Sequence, residues 1–394
     1  MDSAQRILTV NSGSSSVKFS IYLMPAEERE ISGSLARIGQ QSGSFLVKDA
    51  RGKTIHDEKL PIAGHAAALQ LLMDWMGRDK QADAIGHRIV HGGSKYAAPE
   101  FVTQQLIARL RELMPLAPNH LPREIAAIEA IAKMYPETKQ AACFDTSFHR
   151  DMPDVAQIYA LPESVRSEGV VLRYGFHGLS YEYITGELER LGAGKGRTII
   201  CHLGSGASMA AVRDGKSVET TMGFTPTGGI VMSTRCGDID PEVVLYLIEA
   251  KGLDTAAVRD ALTCSGGMLG VSGSSADMQD LHQKEDHDPK AAEAVAVFCH
   301  SARKALGALA AVLGGLDTLV FTGGIGENDA VIRRRICENL EFAGVRLDPR
   351  RNEAGEAVIS KDGAPATIRV IKTNEELMIA RHTARLLRPA GSGV

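Results

Sequence analysis

A stretch rich in small hydroxyl residues lies near the start of the chain, between two apolar segments. It reads ILTVNSGSSSVKFSIY, and its turn runs from Asn11 through Ser14 and Ser16 to Lys18. A tight turn of glycine and serine directs several backbone N–H groups toward one point, and the hydroxyl groups add further donors. Such a turn can hold an anion. Because glycine and serine are also the commonest turn residues, one motif of this kind does not establish a phosphate site.

The same arrangement occurs again further along the chain. TIICHLGSGASMAAVRDGK, beginning at Thr198, is an apolar segment, a glycine and serine turn and a second short strand. TLVFTGGIGEN, beginning at Thr318, reads as a strand followed by two glycines and a helix start, where the helix dipole also favours an anion. The repetition suggests a duplicated supersecondary unit. Two such hairpins facing each other would hold a polyphosphate.

Other motifs do not complete a known site. GAGKGRT at Gly192 resembles a Walker A loop, but it follows a helix and precedes a strand, the reverse of the required order. GGIGEN does not complete the GxGxxG pattern, and the chain has no GxSxG elbow of a serine hydrolase. His87 and His91 flank a strand and are not part of an HExxH helix, so we do not interpret them as a metal pair.

Segments of strand type alternate with segments of helical periodicity, which predicts an α/β fold. Asp145 directly follows one predicted strand, at the position where catalytic groups gather in such folds. The predicted strands are residues 7–11, 17–23, 85–90, 141–144, 198–202, 208–212, 318–322 and 368–372. The predicted helices are residues 63–76, 122–134, 241–252, 290–313 and 374–387.

The composition limits the classes of protein to consider. With 394 residues, about two domains are expected. No apolar run approaches the ~20 residues that cross a bilayer, and MDSAQRILTV lacks the regions of a signal peptide, so we expect a cytoplasmic protein without a membrane partner. The net charge of -4 without a basic cluster argues against nucleic acid as a partner. The six cysteines form no CxxC pair, so reduced thiols are expected.

Nine motifs, in their order and spacing, closely resemble those of the acetate kinases. They are VNSGSSSVKF, HRIVHGG, LAPNH, FDTSFH, RYGFHG, HLGSGAS, TRCGDIDP, FTGGIGEN and TNEELMIA, and the resemblance covers nearly the whole chain. It implies an α/β fold of two duplicated actin-like (ribonuclease H-like) domains flanking an ATP cleft. The first domain would comprise residues 1–146 plus 377–394, and the second residues 147–376.

The resemblance also implies a reaction. Acetate kinases transfer the γ-phosphoryl group of ATP reversibly to acetate, which gives acetyl phosphate and ADP, with magnesium or, in its place, manganese. Such a transfer depends on positioning and on neutralisation of charge more than on covalent work by the protein. Closure of the domains would exclude water and suppress ATP hydrolysis. The family also implies a homodimer.

The implied catalytic residues suit that chemistry. Arg88 and Arg235 resemble the two arginines of the family, whose planar forks fit carboxylate and phosphoryl oxygens, although a single arginine could equally form a surface ion pair. Asp145 would orient the acceptor or the metal shell, because acetate is already ionised at neutral pH and needs no general base. His177 would hydrogen-bond the phosphoryl group in the transition state, and His120 resembles a second histidine of the active site.

The implied binding residues fall into four groups. The magnesium-associated residues would be Asn11 and Glu375, although Glu375 could instead only charge a helix N-terminus. The acyl pocket would be lined by Val90, Phe176 and Pro226. The phosphates and adenosine would be held by Ser14, Ser16, Lys18, His202, Leu203, Gly204, Ser205, Gly206, Gly324, Ile325, Gly326, Glu327 and Asn328. The adenine would contact Asp277, Met278 and Gln279.

Three departures from the family pattern keep alternatives open. Ser205 stands where the family has asparagine, Gln279 where it has an arginine over the adenine, and Asn119 where it has a leucine of the acyl pocket. The alternatives are a propionate or other short-chain acyl kinase, an inactive nucleotide-binding regulator and, more remotely, a hexose kinase of the same fold. We expect Arg88→Ala and Arg235→Ala each to abolish most turnover while leaving the fold intact.

Overall fold

A computed structural model of the chain describes residues 4–13, 15–77, 82–166 and 169–388. Ser14 and the end of the predicted first domain, residues 389–394, lie outside the described residues. Contacts between Cα atoms divide the chain into two units. Unit 1 comprises Met1–Ser147 and Asn374–Val394, and unit 2 comprises Phe148–Thr373.

Strands and helices are numbered here in chain order. The strands are β1 (Gln5–Ser12), β2 (Ser16–Met24), β3 (Glu28–Ala36), β4 (Ser44–Asp49), β5 (Thr54–Lys59), β6 (Ala84–Ile89), β7 (Glu100–Phe101), β8 (Lys139–Phe144), β9 (Arg197–Leu203), β10 (Ala207–Arg213), β11 (Lys216–Thr220), β12 (Thr318–Thr322) and β13 (Thr367–Val370). The helices are α1 (His65–Met76), α2 (Gln104–Glu112), α3 (Leu121–Met134), α4 (Asp154–Gln157), α5 (Glu163–Arg166), α6 (Gly178–Arg190), α7 (Pro241–Glu249), α8 (Thr255–Thr263), α9 (Gly267–Ser272), α10 (Met278–Lys284), α11 (Pro289–Leu313), α12 (Gly323–Asn328), α13 (Ala330–Cys337), α14 (Pro349–Glu353) and α15 (Glu375–Leu387).

Unit 1 is built on one sheet with the strand order β5-β4-β3-β2-β1-β6-β8-β7. Strands β1 to β5 run antiparallel as successive hairpins, whereas β6 and β8 run parallel to β1. Helices α1 and α3 cover one region of the sheet, where the apolar residues of β1, β2 and β3 are buried. Helix α15 packs against β1, β2, β6 and β8.

Unit 2 is built on a second sheet with the order β11-β10-β9-β12-β13. Strands β9, β10 and β11 are antiparallel neighbours, and β12 and β13 run parallel to β9. The order and directions match those of β3-β2-β1-β6-β8 in unit 1. Each unit therefore has a hairpin at its centre and parallel strands on one side of it, as the repeated sequence motif predicts.

Helix α11 is long and apolar enough, by length and composition, to cross a membrane. It nevertheless contributes ten buried residues to unit 2, where it packs against α9, α10, α13 and strand β10. A core helix of a globular protein meets the same two criteria. The contacts of α11 are those of such a core helix.

All eight predicted strands are present as β1, β2, β6, β8, β9, β10, β12 and β13, and the five predicted helices as α1, α3, α7, α11 and α15. The sequence did not predict β3, β4 and β5. Strand β5 is exposed and charged, so it has no alternation of apolar and polar residues. In β3, Gly33 interrupts the alternation of apolar and polar residues. Glycine is needed at this position, because a Cβ would lie 2.3 Å from the ring of Phe19. The side-chain pattern therefore does not reveal these strands, although their backbones pair with their neighbours in the sheet.

Candidate active site

Three polar side chains of unit 1 lie at the carboxyl ends of adjacent parallel strands. Asn11 lies at the end of β1, Arg88 at the end of β6, and Asp145 directly after β8. The register pairs Val10 with His87 and Ile89 with Phe144, which brings the three side chains to one edge of the sheet. Ligands commonly bind at this edge in α/β folds.

The Arg88 guanidinium links these side chains. Its Nε lies 3.0 Å, and one terminal nitrogen 2.5 Å, from the same oxygen, Oδ2 of Asp145. Its other terminal nitrogen donates to Oδ1 of Asn11 at 3.2 Å. Asp145 is fully buried, whereas the Arg88 side chain keeps 17% of its surface exposed. One edge of the guanidinium is therefore fixed by the protein.

Carboxylates surround Arg88 and set its charge. Burial acts to lower the pKa of Arg88, but Asp145, Glu375 and Glu124 together raise that pKa above its ordinary value. Nε of Arg88 lies 3.9 Å from a Glu375 oxygen. Arg88 is therefore a permanent cation in a region of negative charge, as expected for a group that binds an anionic substrate beside a cation.

The first turn of α15 supplies the remaining acidic groups. Asn11 donates to Oε2 of Glu375 at 3.1 Å. The N-cap residue Asn374 accepts from the backbone N–H of Leu377 and from the hydroxyl of Tyr22, which fixes the start of the helix. Contact clustering places Glu375 in unit 1 with Asn11, whereas the predicted boundary at 376 assigns it to the other domain.

The hairpin between β1 and β2 is closed by backbone contacts. Gly13 donates to the carbonyl of Ser16 at 2.8 Å, and a ring nitrogen of His65 is hydrogen-bonded to the Gly13 carbonyl at 2.8 Å. Lys18 is exposed and pairs in register with Asn11. Burial and Glu375 raise the pKa of Glu376, and the Lys18 ammonium partly opposes that rise. Lys18 is thus close enough to interact with this acidic turn.

Glu124 is a buried acid that sequence reasoning missed. Its Oε2 accepts from the backbone N–H of Val90 at 3.1 Å, and the residue is only 2% exposed. Burial raises the pKa of Glu124 to about 8, although the Val90 N–H and Arg88 oppose this. A signal exists in the sequence, because positions 124, 128 and 131 share one helix face and the other two are isoleucines.

The LAPNH segment lies at the start of α3. His120 is the N-cap residue and is half-buried, and Asn119 is exposed. The carbonyl of Asn119 accepts from Arg123 at 3.1 Å. Helix α3 begins one residue before the predicted proline start, at Leu121.

In unit 2, His177 is held in a left-handed backbone conformation at the start of α6, with φ 59°. Its Nδ1 is hydrogen-bonded to the hydroxyl of Ser208 at 2.8 Å, and that hydroxyl also contacts the hydroxyl of Tyr181 at 2.5 Å. The His177 ring stacks on that of His202, with centroids 4.3 Å apart. The Ser208 hydroxyl therefore orients the ring, whose Nε2 lies toward Gly206.

His202 has a second set of contacts. Its Nδ1 is hydrogen-bonded to the hydroxyl of Ser180 at 2.8 Å, and Ser180 in turn contacts the hydroxyl of Thr373 at 2.8 Å. His202 is near the end of β9 and Ser180 is in the first turn of α6. The two histidines are therefore oriented by hydroxyl groups from separate elements, which fixes both rings before any ligand binds.

The turn between β9 and β10 approaches these groups closely. A Cβ on Gly206 would lie 3.3 Å from Nε2 of His177 and 3.4 Å from a terminal nitrogen of Arg235. Ser205 is exposed, and its carbonyl accepts from the backbone N–H of Ser233 at 3.2 Å. Glycine at 206 therefore lets the backbone come this near to both side chains, because a Cβ there would press on each of them.

Arg235 is held by the loop that contains Pro226. One terminal nitrogen donates to the Pro226 carbonyl at 2.7 Å and lies 3.5 Å from the sulfur of Met232. Pro226 and Phe176 are buried in unit 2, whereas Val90, the third predicted wall of the acyl pocket, is buried in unit 1.

GGIGEN follows β12 and forms the short helix α12, as the sequence predicts. A Cβ on Gly204 would lie 3.8 Å from the backbone nitrogen of Gly324, so the two predicted phosphate loops are neighbours. The Glu327 carboxylate accepts from the backbone N–H groups of Gly323 and Thr373, both at 3.0 Å. Asn328 donates to the Gly324 carbonyl at 2.9 Å. Both polar side chains of GGIGEN thus support their own helix.

The predicted adenine-contacting residues start α10. Asp277 is the N-cap residue and accepts from the backbone N–H groups of Gln279 and Asp280. Met278 is buried, and Gln279 is exposed. Of the three side chains, Gln279 has the most freedom to meet a ligand.

Unit 2 therefore brings together His177, His202, the Gly206 turn, Arg235 and the start of α12, and it holds the Asp277–Gln279 segment on a separate helix.

These features define an α/β phosphotransferase with an actin-like fold. The model of the acetokinase family matches residues 6–381, and the chain belongs to that family. An acetate kinase of Rhodopseudomonas palustris strain TIE-1 is 45% identical over 96% of this chain and 98% of its own length.

Solved structures agree with that assignment. The crystal structure of an acetate kinase from Porphyromonas gingivalis is 36% identical and superposes with a TM-score of 0.86, covering 98% of this chain and 100% of that one. That of a propionate kinase from Francisella tularensis is 34% identical, with a TM-score of 0.90 and coverages of 97% and 100%. The chain is a kinase whose family transfers phosphoryl groups to carboxylates.

Proposed function

We propose that this protein transfers the γ-phosphoryl group of ATP reversibly to acetate, giving acetyl phosphate and ADP by direct in-line transfer. The observation that carries the proposal is the pairing of Arg88 with buried Asp145 at the carboxyl ends of adjacent parallel strands. A cation that is held in place at the edge of a sheet can bind and orient a small anionic acceptor. Membership of the acetokinase family supports the same reaction.

On the acceptor side, Arg88 would bind the carboxylate with the edge of its guanidinium that faces away from Asp145. Asp145 would orient Arg88 and would not remove a proton, because acetate is ionised at neutral pH and attacks phosphorus through an oxygen that is already negative. Glu124 holds the backbone N–H of Val90 and so supports the predicted wall of the acyl pocket. His120 would lie at the edge of this site.

On the nucleotide side, the turn 202–206 and the start of α12 would bind the phosphates through backbone N–H groups. Arg235 and Nε2 of His177 would meet the negative charge that spreads over the phosphoryl oxygens in the transition state. Both groups are held beside Gly206, which supports a shared target. The segment Asp277–Gln279 would contact the adenine, with Gln279 as the exposed side chain. Ser16 and Lys18 would add positive potential and donors to the phosphates.

Oxygen groups near Arg88 fit a magnesium ion. Asn11, Asp145 and Glu375 offer amide and carboxylate oxygens, which that ion prefers. Among residues 4–13, 15–77, 82–166 and 169–388, no three His, Cys, Asp or Glu side chains form a metal cage. Magnesium commonly binds through one or two carboxylates together with waters and substrate phosphates, so a cage is not required. When bound, the ion would neutralise phosphate charge.

A second candidate substrate is propionate. The propionate kinase of Francisella tularensis superposes well on this chain, and Asn119 replaces the expected leucine of the acyl pocket. One additional methylene changes discrimination by only about 1–3 kcal/mol in a hydrophobic pocket. We place acetate first because the relative with 45% identity is named an acetate kinase.

The test is a product assay with trapping by hydroxylamine. Purified protein is incubated with ATP, magnesium and acetate, propionate or butyrate, and the hydroxamate formed from each acyl phosphate is measured. We expect the highest kcat/KM with acetate and lower values for the longer acids. A preference for propionate or butyrate would replace acetate as the substrate, and no hydroxamate with any acid would favour an inactive nucleotide-binding regulator.

We also propose a cytoplasmic homodimer in which a second copy covers helix α7. None of the nine residues of α7 is buried, although it contains PEVVLYLIE, and Val243, Leu245 and Tyr246 are each more than 40% exposed. An apolar surface of this kind on a soluble protein marks an interface. Light scattering after gel filtration should give twice the mass of the 42.1 kDa chain. Tyr246→Asp should shift the mass toward that of one chain. The same mass for wild type and Tyr246→Asp would mean that α7 is not part of the dimer interface.

A further inference from the structure

His282 lies on α10 and joins that helix to the segment that follows α12. One ring nitrogen, Nε2, lies 2.9 Å from Oδ2 of Asp329, and the other, Nδ1, lies 3.1 Å from Oε1 of Glu285. Arg335 on α13 donates to both Glu285 oxygens, at 2.8 and 3.0 Å. The four side chains therefore form a row of alternating charge, in the order Asp329, His282, Glu285 and Arg335.

The geometry determines the protonation state of His282. An ionised carboxylate accepts hydrogen bonds and donates none, so both ring nitrogens must carry a proton, which only the imidazolium form allows. The hydrogen bond that His282 donates to Asp329 accordingly raises the pKa of His282. The Arg335 hydrogen bonds lower the pKa of Glu285. Burial acts to raise the pKa of Asp329, but the His282 hydrogen bond and backbone N–H groups lower it overall, so both acids are ionised.

Asp329 occupies a junction between two helices. Its backbone N–H donates to the Ile325 carbonyl at 2.9 Å at the end of α12, and its Oδ1 accepts from the backbone N–H of Ile332 at 2.9 Å at the start of α13. Asp329 thus directly follows the predicted phosphate loop. His282 holds this residue from α10, whose N-cap is Asp277.

We propose that His282 is a positioning residue for the nucleotide: as an imidazolium bridging Asp329 and Glu285, it fixes the helix that begins with Asp277–Gln279 against the end of the Gly324–Asn328 loop. The inference rests on the nucleotide site proposed above and names a residue that controls it. Loss of the proton would leave one ring nitrogen with its lone pair about 3 Å from a carboxylate oxygen, and this repulsion would separate the two segments.

Other titratable groups at this contact do not change charge in the same pH range. Cys299 on α11 lies near Arg335 and Asp329, and burial raises the pKa of its thiol to about 12, so it stays neutral. Arg303, also on α11, is ion-paired with Glu338 at 3.0 Å. His282 is therefore the group of this cluster that can titrate near neutral pH.

The expected pH dependence follows from the raised pKa of His282. The bridge is fully present below the ordinary histidine value of 6.5 and is lost as the pH rises through the higher pKa of the folded protein. The dissociation constant for ADP should therefore be constant at low pH and increase by about tenfold at alkaline pH, the order of a lost charge-assisted hydrogen bond. The KM for acetate should not follow this curve.

Calorimetric titration with ADP, from about pH 6 to about pH 9, compares the full-length protein with three variants. His282→Lys keeps a positive charge and donors throughout this range, so its ADP affinity should remain near the low-pH wild-type value at every pH. His282→Gln cannot become charged, so at every pH it should bind about tenfold more weakly than wild type does at low pH, and it should match wild type at alkaline pH. His287→Gln, at a nearby exposed histidine, is the matched control and should behave as wild type.

Gly324→Leu separates failure of this inference from failure of the nucleotide site. A Cβ at 324 would meet no atom of another segment within 4 Å, so the variant should fold, and its longer side chain should block the phosphate loop. If Gly324→Leu abolishes ADP binding while both His282 variants bind ADP with the wild-type pH profile, the nucleotide site is supported and the role of His282 is overturned. If Gly324→Leu binds ADP as wild type does, the proposed nucleotide site itself is wrong. A lower melting temperature of His282→Gln with unchanged ADP affinity would show a structural role only.

Discussion

The guanidinium of Arg88 directs two of its nitrogens to one oxygen of Asp145, with Nε at 3.0 Å and a terminal nitrogen at 2.5 Å from Oδ2. Asp145 has no exposed surface, so its negative charge depends on this cation for compensation. The pair is therefore structural as well as part of the proposed acceptor site. A variant that removes Arg88 takes away the cation that faces this buried carboxylate.

Arg88→Ala should accordingly lower both activity and stability. We expect the free energy of unfolding to fall by about 3 kcal/mol, in the range for breaking a buried ion pair. Urea unfolding followed by circular dichroism measures this, and hydroxamate formation measures turnover. Adding Asp145→Asn to Arg88→Ala should restore part of the stability, because a neutral amide is less costly to bury, and should restore no activity. An Arg88→Ala protein as stable as wild type would contradict this account.

Arg235→Ala should behave differently. The contacts described for Arg235 are to the neutral Pro226 carbonyl and the Met232 thioether. Loss of these two contacts should cost about 1 kcal/mol of stability. Turnover should fall by about 100-fold or more, because a preorganised cation near the phosphoryl oxygens is removed. The free energy of unfolding and kcat should be measured on the same preparation. A near-normal kcat would exclude Arg235 from the phosphoryl site.

These two arginines show what sequence can and cannot predict about the site. Motif resemblance predicts both residues and expects the same outcome for both, an inactive but folded protein. The difference between them depends on burial and on the partner of each guanidinium. Asp145 directly follows Phe144 in the sequence, but its ion pair with Arg88 spans 57 positions. A single sequence has no local signal for such a pairing.

The fold was predictable where the pattern of side chains follows the pattern of burial. Strands β1, β8 and β12 are largely buried and contain runs of mostly apolar residues. Strand β5 has no such pattern, since it is stabilised by pairing with β4 and is mostly exposed. Glu124 shows the opposite case. Its periodicity places it on an apolar helix face, but its partner, the Val90 N–H, is visible only in three dimensions.

Gly206→Ala should reduce activity without unfolding the protein. The new Cβ would lie 3.3 Å from Nε2 of His177 and 3.4 Å from Arg235, so both groups must shift by a few tenths of an ångström. We expect kcat to fall by about tenfold, because catalytic groups tolerate little displacement. Gly186→Ala on α6 is the matched control, since its Cβ meets no atom within 4 Å. That control should keep full kcat and gain about 0.5–1 kcal/mol of stability.

Glu124→Gln tests the buried acid, because glutamine keeps an oxygen that can accept the Val90 N–H and cannot ionise. The pKa of Glu124 is raised from 4.5 to about 8 in the folded protein. Between these values the folded state holds a proton that the unfolded state releases, so wild-type stability decreases as the pH rises, by at most about 1.4 kcal/mol per pH unit.

Glu124→Gln should lack this decrease. Its stability relative to wild type should rise with pH from about 4.5 to about 8 and then become level, as measured by urea unfolding at intervals of about one pH unit. Glu124→Ala should be about 1–3 kcal/mol less stable than Glu124→Gln at every pH, because the Val90 N–H is left buried without an acceptor. Parallel pH profiles for wild type and Glu124→Gln would mean that Glu124 is ionised throughout, with Arg88 and the Val90 N–H outweighing the effect of burial.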